Sequence, residues 1–165
     1  ANIITAVAPS KTFNIPGLNL SVLIIPDKPS RTAITQAFNS LHVSASNPFS
    51  IAAFEAAYRD GEAWLKELLI YLRDTQDCVE NFLAQRLPEI KVIKAEGTYL
   101  LWLDCHALNM TDAQLKQFFI HEAGIGMSPG ILFGAEGSGF MRLNIGAPRR
   151  MVLQVLEKIK QAWYK

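Results

Sequence analysis

The segment most informative about the fold is IITAVAPSKTFNIPGL, at positions 3–18. Residues 3–8 are short and apolar and end at a proline, a pattern typical of a buried β-strand. Residues 10–17 are more polar and close with the turn signal Pro16-Gly17. The stretch therefore places a lysine, Lys11, directly after a buried strand and ahead of a turn.

Lys11 is a candidate nucleophile because of this position. Most lysines lie on the surface with the charged head in water, and position alone favours that role. A lysine at the end of a buried strand is better placed than most, since burial favours the neutral amine, which attacks aldehydes. The hydroxyl groups of Ser10 and Thr12 flank Lys11 and could bind an anion such as phosphate.

The rest of the chain alternates between strand and helix patterns. Apolar runs predict strands at 18–25, 91–94, 98–104 and 140–145, and helical periodicity predicts helices from Pro29, at 51–58, at 62–86, from a cap at Thr111 to a stop at Gly124, and at 149–163. We expect an α/β fold with a domain boundary inside the long helix. The second part should be a small α/β layer with a sheet and helices on one side.

Composition excludes several classes of partner. The net charge is +1, so no polyanionic partner such as nucleic acid is indicated. There is neither a long apolar run nor a signal-peptide pattern, and we expect a cytoplasmic protein that does not enter a membrane. Cys78 and Cys105 lack CxxC spacing and are expected to be free thiols. His42, His106 and His121 have no metal-ligand spacing, so no metal site is predicted.

Two further sequence patterns do not indicate a functional site. The glycines between residues 124 and 139 never form GxGxxG after a strand, and GxxxxGK[ST] does not occur, so no dinucleotide or P-loop site is indicated. Asp104-Cys105-His106 places a cysteine beside a histidine. Adjacent strand residues point to opposite faces, so we expect no Cys/His pair.

Arg142 is the second candidate site residue. In FMRLNI, at positions 140–145, strand alternation puts Arg142 and Asn144 on one face and apolar side chains on the other. A planar guanidinium in an apolar strand suits bidentate recognition of a carboxylate. The alternative is an arginine that protects an edge strand from aggregation, and the strand considered alone favours this alternative.

Three blocks together resemble one known family. The segment SKTFNIPGL at 10–18 closely resembles the segment around the cofactor lysine in fold-type I enzymes that use pyridoxal 5′-phosphate (PLP). Within these it resembles the MalY/PatB branch of cystathionine β-lyases, or carbon–sulfur lyases, which are often classed with class I and II aminotransferases. EGTYL and WLD at 96–104 and FMRLNIGAPR at 140–149 are similar to later family blocks in the same order. The chain is identified as the C-terminal half of such an enzyme.

The resemblance implies roles for individual residues. Lys11 would hold PLP as a Schiff base and later move the proton at the substrate α-carbon. Ser10 would help to bind the cofactor phosphate, and Arg142 would pair with the α-carboxylate of a small amino-acid substrate. The loop Ser46-Asn47-Pro48 resembles a segment near the dimer interface of relatives, so a homodimer is expected.

The sequence departs from the aminotransferase pattern at two positions. Many aminotransferases have a hydroxyl residue where this chain has Ala8, and a phosphate-binding arginine where it has Asn19. The lyase branch also lacks that arginine, so Asn19 favours a lyase. The resemblance further implies that residues 1–74 are the remnant of the large PLP-binding domain and that residues 75–165 form the small domain.

The resemblance also implies that part of the cofactor pocket lies outside this chain. In relatives, the aspartate at the pyridine nitrogen, the ring-stacking aromatic residue and the glycine-rich phosphate turn all precede the lysine strand. The chain starts without methionine and with an apolar run typical of the inside of a strand, so we expect further sequence before Ala1 and little activity from the chain alone. Three functions stay open: a β-lyase acting on cystathionine-like conjugates, an aminotransferase, and a non-catalytic or regulatory protein-binding fragment.

Overall fold

The computed structural model describes residues 3–44 and 47–165. Ser46, which begins the loop predicted to lie near a dimer interface, is outside these ranges, and so are the first two residues of the chain. The described residues form two compact units, which meet in sequence between Glu67 and Leu68. We call them unit 1 and unit 2 and describe each by itself.

Unit 1 contains a two-stranded antiparallel sheet and two helices. Its elements are β1 (Thr5–Val7), a 3₁₀ turn (Pro16–Leu18), β2 (Val22–Ile24), α1 (Lys28–Ser40), α2 (Pro48–Asp60) and the first residues of α3 (Glu62–Arg86). Local chemistry starts both helices. The Asp27 carboxylate accepts the Ser30 amide at 2.8 Å, and the Asn47 side chain accepts the Phe49 amide at 3.0 Å.

The strands of unit 1 differ from the expectation in length and burial. Each spans three residues, and β1 is largely exposed although the sequence predicts a buried strand. The reason is that β1 pairs with β2 alone among the described residues, and this two-stranded sheet buries few of its side chains. Among the described residues of unit 1, only Pro9, Ile25 and Ser50 are buried.

Unit 2 contains a four-stranded antiparallel sheet in the order β3-β4-β6-β5. Its elements are the rest of α3, then β3 (Lys91–Ile93), β4 (Leu100–Asp104), α4 (Asp112–Gln117), β5 (Ser128–Pro129), β6 (Phe140–Asn144) and α5 (Arg149–Trp163). The bounds of α3 and α5 are those the periodicity predicts. Thr111 and Gln114 form the predicted capping box at the start of α4, and Gly124 has φ +68° where the helical segment ends.

The core of unit 2 lies between one face of the sheet and three helices. Alternate residues of β4 and β6 point into it, and α3, α4 and α5 cover them. The main contributors are Val79, Leu83, Leu101, Leu103, Leu115, Phe118, Phe119, Met141, Leu143, Val152, Leu156 and Ile159. This arrangement confirms the predicted small α/β layer with helices on one side. It also leaves the other face of the sheet, which carries Arg142, uncovered by these helices.

Within the described ranges, no helix combines the length and apolarity that a membrane span requires.

Candidate active site

Lys11 lies in a tight turn directly after β1. The Phe13 amide donates to the Pro9 carbonyl at 2.9 Å, and the Ile15 amide donates to the Ser10 carbonyl at 3.0 Å. The Lys11 side chain is exposed, and it forms no salt bridge with any residue in the described part of the chain. The turn therefore presents an amine that no carboxylate neutralises.

Phe13 anchors this turn to the helices of unit 1. Its ring centroid lies 5.5 Å from that of Tyr58 and 6.4 Å from that of Trp64. Gly61 leaves room for the ring, because a Cβ there would lie 2.7 Å from Phe13 Cε1. A side chain at position 61 would therefore push against the segment that carries Lys11.

The segment after the turn is fixed by a second contact. The hydroxyl of Ser50, at the start of α2, donates a hydrogen bond to the Leu18 carbonyl. Asn19 follows with φ 46° and its amide donates to the Pro16 carbonyl at 3.4 Å. The family motif thus occupies a defined loop and not an extension of either strand. The role of Ser50 is not visible in the sequence, because its hydrogen-bond partner is 32 residues away.

Unit 1 offers groups that suit part of PLP. The cofactor aldehyde needs an amine, which Lys11 presents, and the phosphate needs hydrogen-bond donors, of which the adjacent Ser10 hydroxyl is one. Ser10 is half-buried beside an exposed Lys11. These two residues fit the aldehyde and phosphate ends of the cofactor.

Arg142 lies in an interior strand, so the edge-strand alternative is wrong. Strand β6 pairs with β4 on one side and with β5 on the other. In this register Arg142 lies opposite Trp102 on β4 and opposite Ser128 on β5. Directly opposed residues project from the same face of a sheet, so these three side chains share the face that the helices leave uncovered.

The Arg142 guanidinium is held by polar and aromatic contacts. Nη2 donates a hydrogen bond to Ser128 Oγ at 3.2 Å, and Cζ lies 4.6 Å from the centroid of the Phe133 ring. No carboxylate of the described residues forms a salt bridge with it. A half-buried guanidinium with unused donors is suited to accept a carboxylate from a ligand.

Arg149 shows what a structural arginine looks like in the same unit. Its Nη2 lies 3.6 Å from Asp74 Oδ2, and its Nε donates to Thr75 Oγ1 at 3.1 Å. Its Cζ lies 4.9 Å from the Tyr71 ring centroid. The donors of Arg149 are committed to α3, whereas those of Arg142 are largely open.

The segment between β5 and β6 forms part of this face. Residues 130–137, which we call the glycine segment, contain two 3₁₀ turns, Gly130–Phe133 and Ala135–Gly137. The sequence alone assigns no function to these glycines or to Phe133. The one available signal was the density of glycine before the arginine strand, which indicates close backbone approach.

Cys105 and His106 form no nucleophilic pair, as the sequence predicts. Burial raises the pKa of the Cys105 thiol to about 12, which keeps it protonated. His106 Nδ1 lies 2.6 Å from Asp104 Oδ1 instead. Across residues 3–44 and 47–165, no cluster of three or more potential metal ligands is present.

The predicted site residues are divided between the two units. Lys11 and Ser10 belong to unit 1, and Arg142 belongs to unit 2. Each has surroundings compatible with its predicted role, and the roles themselves stay predictions.

Comparison with known proteins identifies the family. No family model matches the chain. The chain is 39% identical over 159 residues to cystathionine beta-lyase PatB of Bacillus subtilis, and 37% identical over 141 residues to protein MalY of Escherichia coli. These alignments cover 96% and 85% of this chain but 41% and 36% of the relatives. The chain thus spans about two fifths of the length of the curated relatives it matches.

Comparison with solved structures identifies the same group of enzymes. A PLP-bound putative aminotransferase from Clostridium difficile matches with a TM-score of 0.94 at 39% identity, over 98% of this chain and 42% of that chain. Cystalysin from Treponema denticola, which contains PLP, matches with a TM-score of 0.92 at 35% identity, over 96% and 40%. A PLP-bound C-S lyase from Staphylococcus hominis matches with a TM-score of 0.83 at 33% identity, over 99% and 42%. The predicted fold class is confirmed, and the chain belongs to the MalY/PatB branch of the fold-type I PLP-dependent enzymes.

Proposed function

We propose that this chain belongs to a PLP-dependent carbon–sulfur β-lyase. The enzyme would cleave cystathionine-like cysteine conjugates, with one water consumed, into a thiol, pyruvate and ammonia. The observation that carries the proposal is the identity of 39% to a cystathionine beta-lyase, against 23% to an aspartate aminotransferase from Pyrococcus horikoshii. Asn19, in place of the phosphate-binding arginine of many aminotransferases, supports the same choice.

Lys11 is the catalytic residue in this proposal. PLP, when bound, supplies an electron sink that weakens the bonds at the substrate α-carbon. Lys11 Nζ anchors the cofactor and then carries the proton removed from that carbon. Its position in a hydrogen-bonded turn anchored by Phe13 supports this role, because proton transfer requires a donor held in one place.

Arg142 binds the substrate carboxylate in this proposal. Its planar fork can make two parallel N–H···O bonds with a carboxylate, and its interior strand limits how far it can move. Ser10 contributes a donor to the cofactor phosphate. Residues 1–74 would belong to the large cofactor domain and 75–165 to the small domain, in a cytoplasmic homodimer.

An aminotransferase is the second candidate. The observation that favours it is the Clostridium difficile structure, which is described as a putative aminotransferase and is as similar in sequence as the lyase relative. The two reactions share Lys11 and Arg142 and differ in whether a group leaves the β-carbon.

Product analysis separates the two candidates. The complete enzyme with PLP is offered L-cystathionine, and pyruvate, ammonia and free thiol are measured. A lyase should release all three in equal amounts when no keto acid has been added as an amino acceptor. Lys11→Ala should abolish release, whereas Lys28→Ala, at an exposed lysine at the start of α1, should not. Amino transfer to an added keto acid, without ammonia, would contradict the lyase and support the aminotransferase.

The isolated chain gives a second test. After incubation with PLP and reduction with borohydride, which makes a lysine–PLP bond permanent, peptide mapping should locate the adduct at Lys11. Release of pyruvate from L-cystathionine should be absent, because part of the cofactor pocket is expected outside this chain. Random labelling of lysines would show that residues 1–165 hold no residual cofactor site.

A further inference from the structure

We propose that Phe133 is a positioning residue, which holds the Arg142 guanidinium in the plane and direction needed to bind a carboxylate. The inference rests on the proposed function, since it assigns a determinant of substrate affinity to the arginine of that site. It concerns a residue that does not itself touch the carboxylate. Three features of unit 2 carry it: the register around Arg142, the contact between the guanidinium and the Phe133 ring, and the way the glycine segment is fixed.

The register leaves the end of the Arg142 side chain in need of support. Trp102 and Ser128 lie beside Arg142 on neighbouring strands. Ser128 Oγ accepts one hydrogen bond from the guanidinium, which restrains one nitrogen but not the rotation of the plane. A long arginine side chain has several rotamers, and binding a carboxylate in one of them carries an entropic cost.

Phe133 supplies the missing restraint. Its ring lies under the guanidinium, with 4.6 Å from Cζ to the ring centroid. A cation above an aromatic face is attracted by the ring quadrupole. A cation–π contact centred on Cζ does not consume the N–H donors of the guanidinium, which stay available for hydrogen bonds. One of these donors is bonded to Ser128, and the remaining edge can meet a carboxylate.

Phe133 is itself held in place. The Trp102 ring meets it edge-on with a centroid distance of 5.7 Å, and Trp102 is stacked on Phe140 at 5.6 Å. Trp102 therefore touches the ring that Arg142 lies over, on the same face of the sheet. The aromatic contacts link Phe133 to β4 and β6, although it belongs to neither strand.

Two glycines set the position of the glycine segment. A Cβ on Gly130 would collide with the Gly137 carbonyl oxygen and would lie 2.9 Å from Phe140 Cβ. A Cβ on Gly137 would collide with the Gly130 carbonyl in return. The backbones at 130 and 137 thus touch, so the segment lies close against β6. The density of glycine here has a physical use, which is to bring Phe133 to Arg142.

The first test observes Arg142 directly in this chain by NMR. Protons of its side chain near the Phe133 ring face should be shifted upfield by the ring current. Phe133→Leu should move them downfield, and Phe133→Tyr, which keeps the ring, should restore the shift. Leu132→Ala, at the exposed neighbouring position, should leave them unchanged. Arg142 resonances that do not respond to Phe133→Leu would overturn the proposal.

The second test measures kinetics in the complete enzyme. Phe133→Leu should raise KM for the amino acid about three- to tenfold, with kcat nearly unchanged, as expected for loss of a cation–π contact. Phe133→Tyr should recover most of this loss. Gly130→Ala should raise KM in the same direction, because it displaces the glycine segment without touching Phe133.

Arg142→Ala separates the failure of the proposal from that of the proposed function. A raised KM for Arg142→Ala with no change for Phe133→Leu would overturn the positioning role and leave the carboxylate site intact. An unchanged KM for Arg142→Ala would overturn both.

Discussion

The two units of this chain differ in how much apolar surface each buries for itself. Unit 2 has a continuous core between its sheet and three helices. Unit 1 buries only Pro9, Ile25 and Ser50 among its described residues, and its side chains Ile24, Phe49 and Tyr58 are at least half exposed. A two-stranded sheet that buries few side chains is marginal in water. Unit 2 should therefore be stable alone, whereas unit 1 needs further apolar contacts.

This difference in packing affects how well each unit can orient its own candidate site residue. Lys11, the proposed cofactor lysine, lies on the weakly packed unit, and Arg142, the proposed carboxylate-binding residue, lies on the well-packed one. Arg142 can therefore be oriented by contacts within this chain. Lys11 lies in a turn with defined hydrogen bonds, but the two-stranded sheet before this turn is largely exposed.

The two units should differ most in the rate at which their backbone amides exchange hydrogen with solvent. Amides of β4 and β6 should exchange only through global unfolding, because the core covers one face of these strands. Amides of β1 and β2 should exchange about a thousandfold faster or more, through local opening that costs little. Mass spectrometry of peptides from the intact chain measures both. Equal protection of the two sheets would show that unit 1 is stabilised by something other than its own core.

A matched pair of substitutions on one helix sharpens the same point. Leu83→Ala removes a side chain that is 2% exposed and should lower the free energy of unfolding by about 2–5 kcal/mol. Leu69→Ala, at a position 51% exposed on the same helix, should change it by less than about 0.5 kcal/mol. Urea titrations followed by circular dichroism give both values. Similar losses for the two variants would contradict a core confined to the C-terminal part of α3.

Because of Cys105, the free energy of unfolding of unit 2 should depend on pH in the alkaline range. Its pKa is raised from 9.0 to about 12 by burial, so between these values the unfolded thiol loses its proton while the folded thiol keeps it. The folded state then binds more protons, and stability falls as pH rises, by up to about 1.4 kcal/mol per pH unit. Urea titrations between pH 8 and about 10.5 should show this slope, and Cys105→Ala should reduce it. An unchanged slope in the variant would assign the effect to other groups.

The smallest expected effect concerns the start of α4. Thr111→Ala removes the hydroxyl that accepts the Gln114 amide at 3.3 Å and should cost about 1 kcal/mol. Thr111→Ser keeps the hydroxyl and should recover most of the loss. Thermal unfolding of unit 2 measures both. If alanine and serine behave alike, the capping box contributes nothing measurable.

The sequence predicts helices of this chain better than its strands and site contacts. Helices α3 and α5 have the expected bounds, because a helical stripe is a local pattern repeated over many residues. The burial of β1 could not be predicted, because it depends on what covers the sheet. The resemblance pointed to Arg142, but its interior place was hidden, since β5 has two residues and no periodicity. Phe133 was missed because a 3₁₀ turn has no apolar stripe to detect.

The contact between Gly130 and Gly137 limits which substitutions these two positions can accept. Neither glycine carries a functional group, yet each would tolerate a larger residue poorly, because the other's carbonyl occupies the space. In a library of all single substitutions selected for activity, both positions should be depleted almost as strongly as Arg142. Tolerance for side chains at these two positions would then mark the proposed carboxylate site through residues that do no chemistry.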